Sequence, residues 1–181
     1  MKFDFVWRPR IAVFGMDSVP FVYPSAGNPR VAILVPGFRQ TRQVHYFDRI
    51  DDGETVRFDP EVLAGTGAQL RRIAQSDSLV VVKNAVVVLS HEGDLGLTEH
   101  DRDLFWDVFG VPAFEQYLTR RNVLIASECD AHDGLHLRGP VLSRDGWELD
   151  ESPCDCGDPR PRLVMPRAPA TPDLQLCVER P

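Results

Sequence analysis

The sequence predicts an α/β fold: a mixed sheet with flanking helices, a β-rich N-terminal part and a zinc-clipped C-terminal hairpin. Three observations carry that reading. Short apolar runs separated by Pro, Gly and Asn crowd residues 1–58. Two β-branched runs, 79–82 and 85–89, are apolar at every position, as strands covered on both faces must be. Finally, Cys129-Asp130-Ala131-His132 and Cys154-Asp155-Cys156-Gly157 bring four potential metal ligands to the two ends of a hairpin-length segment.

Taken in order, runs at 11–14, 19–23, 31–35, 44–47 and 55–58 read as strands. Asp59-Pro60-Glu61 then offers a cap, a first-turn proline and a favourable negative charge, opening a helical pattern that aligns Leu63, Leu70, Ile73 and Ala74. Gly65 and Gly67 count against that helix. The runs at 79–82 and 85–89 form the buried centre of the sheet. Thr98 with Asp101 makes a capping box, Leu104, Phe105, Val108 and Phe109 follow at helical spacing, and Gly110 ends the helix. Strands at 111–117 and 123–127 complete a strand, helix, strand layer.

The expected organisation is a single α/β domain over 1–157, divided into a β-rich part (1–58), the strand-helix-strand layer (59–128) and the zinc-clipped hairpin (129–157). A Pro-rich tail follows over 158–181, with six prolines and little periodicity. A chain of 181 residues with 43% hydrophobic content is long enough for one buried core.

Charge narrows the partners. The net charge is −7, the sequence pI is near 5.2, and Lys and Arg are scattered, so no basic face is expected to neutralise a phosphate backbone. Nucleic acid is therefore excluded as an expected partner. Met1-Lys2-Phe3-Asp4-Phe5 places an acid where a signal peptide would continue its apolar run, and no stretch reaches the roughly 18 to 20 apolar residues of a membrane span. The expectation is a cytoplasmic protein without membrane contact. In that reducing compartment, four cysteines, three of them clustered with a histidine, favour metal over disulfide.

Cys129, His132, Cys154 and Cys156 supply three thiolates and one imidazole, a complete tetrahedral set for zinc with no position open to a reacting water. The ion is expected to be structural. Between the pairs lie 21 residues, so a shared ion would close a long loop. His136 can substitute for His132, because the alternation of Gly134-Leu135-His136-Leu137 turns it away from the apolar side. Two other readings stay open: the cysteines as small buried hydrophobes, and Cys129 as a nucleophile with His132 or His136 as base. Cys177 stands apart as an unligated thiol.

Residues 86–163 also carry a family pattern. It comprises Val87-Val88-Leu89-Ser90-His91-Glu92, Leu97-Thr98-Glu99-His100-Asp101-Arg102, Phe109 to Tyr117, Ile125 to Leu137 and Cys154 to Leu163. In that order these segments resemble the phenylacetate-CoA ligase-like branch of the adenylate-forming enzymes, the acyl-CoA synthetases. The resemblance implies a strand, a helix, a strand ending near an adenylate, a Glu-Cys-x-x-His-x-Gly-Leu-His segment and a late cysteine-glycine turn before Pro-Arg. It also implies a Tyr-Gly-x-Thr-Glu motif whose acid supports Mg²⁺. Here Tyr117-Leu118-Thr119-Arg120-Arg121 stands in its place, with a cation at the acid's position. The phosphate loop is missing, Gly65-Thr66-Gly67 being too short, and only 16 residues separate Leu137 from Cys154.

The expectation is thus a zinc-stabilised non-catalytic or accessory module, with a protein partner, no catalytic residues and no organic cofactor site. The alternative is an acyl-activating enzyme subunit that completes its ATP site with a partner chain, using Glu92, Glu115 or Glu128 as substitute metal carboxylates.

Overall fold

The computed structural model describes residues 18–50, 53–76, 80–139 and 146–165. Among these residues nine strands form one sheet: β1 (Val31–Ile33), β2 (Val44–Tyr46), β3 (Val62–Gly65), β4 (Ala85–Ser90), β5 (Ala113–Leu118), β6 (Leu124–Glu128), β7 (Leu135–Leu137), β8 (Glu148–Asp150) and β9 (Arg162–Val164). Three helices accompany them: α1 (Glu54–Phe58), α2 (Gly67–Ala74) and α3 (Glu99–Phe109). The strand order is β2-β1-β3-β4-β5-β6-β7-β9-β8. Pairs from β2 to β5 are parallel, and those from β5 to β8 are antiparallel. The sheet is mixed, as the sequence predicts.

Burial explains the parallel half. Every residue of β1, β3 and β4 is buried. Alternate residues Ala32, Leu63, Val86 and Val88 pack with Leu70 of α2 and Phe105 of α3. Their neighbours Val31, Ile33, Val62, Ala64, Val87 and Leu89 pack on the other face with Phe38 and Leu118, and Val19, Phe21 and Tyr23 lie against that layer. Covering both faces removes any need for polar alternation.

Helix α3 obeys its sequence signals. Thr98 Oγ1 accepts from Asp101 N at 3.2 Å while Asp101 Oδ2 accepts from Thr98 N at 3.2 Å, and Gly110 ends the helix at φ 67°. Asp101 also accepts from Arg71 Nη1 at 2.9 Å, which ties α3 to α2.

Several expectations are corrected. Residues 55–58 lie in helix α1 rather than a strand; four residues are too few for periodicity to decide. The helix read from Asp59 onward divides: Val62–Gly65 is a central strand, and α2 begins only after Thr66, whose side chain accepts from Gln69 N. Residues 80–82 form no strand but lead into β4. Residues 19–23 form no strand of the sheet; Val19 makes an isolated parallel bridge to Phe38, outside the named strands. The largest correction concerns the presumed tail, because Arg162–Val164 is strand β9, inserted between β7 and β8. The C-terminal hairpin is therefore a three-stranded unit in which β7 and β8 are separated. The expected strand at 11–14, Cys177 and the remainder of the tail from 166 lie outside the described residues.

No helix among the described residues is long and apolar enough to cross a membrane.

Candidate metal centre

Three segments converge at one end of the antiparallel half. Cys129 follows β6 in a turn closed by the His132 N–H donating to the Cys129 carbonyl at 3.0 Å. Cys154 and Cys156 lie in a second turn, closed by Gly157 N donating to Cys154 O at 2.9 Å, with Gly157 at φ 80°. Strand β7 supplies His136, since Leu135 and Leu137 join the apolar cluster with Tyr117, Ile125 and Leu163 and alternation turns His136 to the opposite face.

Ligand atoms of Cys129, His136, Cys154 and Cys156 all lie within 4.8 Å of one another. Cys129 Sγ is 3.7 Å from Cys154 Sγ, and Cys156 Sγ is 3.3 Å from His136 Nε2. Zn–S bonds of about 2.3 Å at tetrahedral angles would put two sulfurs about 3.8 Å apart, close to the first distance. A disulfide would need about 2.05 Å, and the three cysteines are free thiols.

The imidazole is already oriented. His136 Nδ1 lies 3.1 Å from the Arg160 carbonyl, which can only accept, so Nδ1 carries the proton and Nε2 offers its lone pair to the thiols. His136 is fully buried and Cys154 nearly so, whereas Cys156 reaches the surface.

Electrostatics separates the thiols. Burial, reinforced by the Cys156 and Cys154 thiols, pushes Cys129 up to about 12. Burial also opposes ionisation of Cys154, but the Cys156 backbone N–H, the neighbouring thiols and Arg162 outweigh it and leave its pKa below the ordinary value. Without an ion Cys129 keeps its proton at neutral pH, and a divalent ion would displace it.

The histidine in this group is His136, not His132. His132 has a positive φ of 52°, and its ring lies outside the cluster. There its Nδ1 lies 3.1 Å from Glu128 Oε1 and 3.3 Å from Arg102 Nη1, and the ring stacks on Phe114 with centroids 5.0 Å apart. Spacing favoured His132, which forms the tight Cys129-Asp130-Ala131-His132 pair. The strand alternation around His136 was the signal that could have decided between them.

Gly134, between those histidines, runs at φ 88°, and a Cβ there would sit 2.7 Å from the Leu163 carbonyl oxygen. Gly134→Ala is expected to cost about 1–3 kcal/mol through backbone strain, and more if β7 and β9 must separate. A denaturant midpoint equal to that of the unmodified protein would contradict the close approach.

A cavity of about 790 Å³ beside α3 is lined in part by Glu115, Glu128, Arg102, His132 and Trp147. Its two buried carboxylates already have partners. Glu115 accepts from Ser90 Oγ at 2.5 Å and Leu97 N at 3.0 Å; Glu128 accepts from Arg102 Nη2 at 2.6 Å and Glu115 N at 2.8 Å. Glu92 is 3.5 Å from Arg120 at the surface. The structure therefore does not gather Glu92, Glu115 and Glu128 into one cation site.

The loops after β1, β4 and β5 are strapped together. Asn122 Oδ1 lies 3.0 Å from His91 Nε2, and Asn122 Nδ2 donates to the Pro36 carbonyl at 2.8 Å. This link crosses the carboxyl end of the parallel strands, the place where open α/β sheets bind ligands.

No protein-family model matches the chain, and no curated protein matches it in sequence. Among solved structures it is similar to a 2-hydroxyisobutyryl-CoA ligase, captured in an open conformation with 2-HIB-AMP and CoA. The TM-score is 0.51 at 12% identity, over 76% of this chain and 44% of the ligase. The chain thus spans less than half the length of the ligase it matches, and what the two share is a fold.

Proposed function

We propose that the protein is a zinc-stabilised accessory or binding module with the fold of an adenylate-forming CoA ligase fragment, rather than a complete acyl-activating enzyme. The observation carrying this reading is the convergence of three thiols and one correctly oriented imidazole within 4.8 Å. Cys129, His136, Cys154 and Cys156 would hold the ion. Zinc would supply a cross-link between the end of β6, strand β7 and the turn before β9, with no open position for a substrate.

Two features speak against nucleotide chemistry in the isolated chain. Arg121 stands where the related motif needs an acid, and the Asn122 link closes the three loops around the strand ends. Purified protein, prepared without a metal-binding tag, is expected to contain about one zinc by elemental analysis. Mg-ATP is expected to leave its melting curve unchanged, whereas a nucleotide site filled at 100 times its dissociation constant would add about 2.7 kcal/mol.

A second reading is supported by the fold similarity to a CoA ligase: a subunit completing an ATP site with a partner protein. Pyrophosphate release that requires an organic acid and Mg²⁺ would select it. Zinc content near zero, with all thiols freely alkylated in the native protein, would eliminate the metal centre from both readings.

A further inference from the structure

We propose that the groove beside α3 is a docking site for a basic segment of a partner protein, one presenting lysine or arginine together with apolar side chains; this deepens the reading of the protein as an accessory or binding module, on which it rests. Shape, apolar exposure and charge each bear on it.

Helices α2 and α3 pack on β3, β4 and β5. The cavity of about 790 Å³ reaches from the start of α3 across to β7, β8 and β9, with Leu135, Glu148 and Val164 in its lining. A second cavity of about 510 Å³ adjoins it, because Glu99, Arg102 and His132 line both. Each half is of ligand-site size, so the whole groove holds several side chains of a bound segment.

Large apolar side chains stand uncovered along this groove. Leu95 and Met165 line the larger cavity at 82% and 62% exposure, and Trp106 lines the smaller at 59%. Below them lies the buried Leu135. Exposed apolar surface rimmed by polar groups marks interaction sites, and tryptophan is enriched among the residues that dominate binding.

Charge selects the occupant. Among the described residues Asp103 and Glu148, both exposed, line the groove without an ion pair, and Glu99 meets only Arg102, at 3.6 Å. The arginines of the lining are already committed. Arg102 donates to the Ala113 carbonyl at 2.8 Å and to Glu128 at 2.6 Å, while Arg162 is paired with Asp133 and Asp150. The groove therefore offers unpaired negative charge without a matching free arginine, on a chain whose net charge is −7. An acidic segment would be repelled. A lysine or arginine can instead pair with Asp103 or Glu148 and lie over the Trp106 ring, while its apolar neighbours cover Leu95 and Met165.

Calorimetric titration of the full chain with a synthetic peptide of repeated Lys-Leu-Ser triplets tests this, and saturable binding is expected. Trp106→Ala should weaken it about 10-fold, as loss of an aromatic anchor does. Asp103→Asn combined with Glu148→Gln should weaken it about 5-fold at low salt and less at high salt, because the pairs are exposed. Glu54→Gln should leave the affinity unchanged. That control removes an acid from α1, whose Phe58 packs on His45 of β2, at the other end of the strand order from β8. All these residues are exposed, and unchanged melting curves will verify that the variants fold.

Equal affinity for a peptide carrying serine in place of leucine would reduce the attraction to charge alone and overturn the proposal. Displacement of the peptide by spermidine at comparable concentration would do the same, by marking a site for a small polyamine. Failure of the full chain to bind, or an affinity indifferent to Trp106→Ala and to the acid pair, would also sink it. Zinc content measured on the same preparation keeps the outcomes apart. Normal zinc without peptide binding removes the docking site and leaves the metal centre standing, whereas peptide binding without zinc does the reverse.

Discussion

Replacing Cys154 by Ser is expected, on the proposed zinc centre, to abolish metal binding and to loosen the whole antiparallel end of the sheet. Cys154 is buried, and its Sγ is one of four potential ligand atoms that converge, 3.7 Å from Cys129 Sγ across 25 residues of sequence. By analogy with a covalent cross-link over a loop of that length, losing the closure costs about 3–4 kcal/mol. His136→Ala should behave alike, since its Nε2 is the nitrogen among the four converging potential ligand atoms of the described residues. His132→Ala should keep its zinc, because that ring lies with Glu128 and Phe114 instead. Metal content measured beside thermal unfolding checks all three. Loss of zinc in His132→Ala with retention in His136→Ala would reverse the assignment of the imidazole.

Asp101→Ala should be the most damaging change in the parallel half. Its carboxylate serves the α3 capping box and receives Arg71 from α2, with a side chain only 4% exposed. Breaking a buried pair costs about 3–5 kcal/mol; the lower end applies here, because the Arg71 side chain is 35% exposed and can turn to water. The effect depends on pH. Burial alone would raise the Asp101 pKa, but the bonds from Arg71 and Thr98 outweigh it and hold it below the ordinary carboxylate value. A depressed native pKa means that the contribution is complete above the unfolded carboxylate pKa of about 3.9 and is lost as pH falls through the lower native value. The stability gap between the unmodified protein and Asp101→Ala should therefore be full at neutral pH and close in strong acid. A gap that stays constant into strong acid would show that the carboxylate charge contributes nothing.

What the sequence revealed was mostly local. The α3 boundaries followed from Thr98, Asp101 and Gly110, whose capping interactions span only a few residues. The all-apolar run of β4 announced a strand with neighbours on both sides. Strand β3 was hidden because Leu63, Leu70, Ile73 and Ala74 also satisfy helical spacing, and what makes Val62–Gly65 extended is pairing with β1 and β4, both distant in sequence. Strand β9 was hidden for a related reason. Pro159 and Pro161 read as breakers, yet the strand starts just after them, and the Pro161 carbonyl accepts from Leu137 N at 3.0 Å.

At the candidate metal centre, the convergence of three cysteines was suggested by composition and spacing. The choice of histidine was not, because it depends on a left-handed turn at His132 and on the register of β7. Arg162 was likewise absorbed into a presumed tail, and only cross-strand pairing brings it beside His136.

The placement of β9 between β7 and β8 also governs how the chain can fold during synthesis. Strand β8 leaves the ribosome before the strand that must join it to β7 has been made, so until residues 162–164 emerge both strands present open backbone edges. The two cysteines that precede β9 emerge first, within a single turn. Metal capture by Cys129, His136, Cys154 and Cys156 could tether that turn to β7 just as β9 becomes available, converting a distant pairing into a short closure. A ligand set at the end of a mature fold would thus act earliest as a guide for the last strand to enter the sheet.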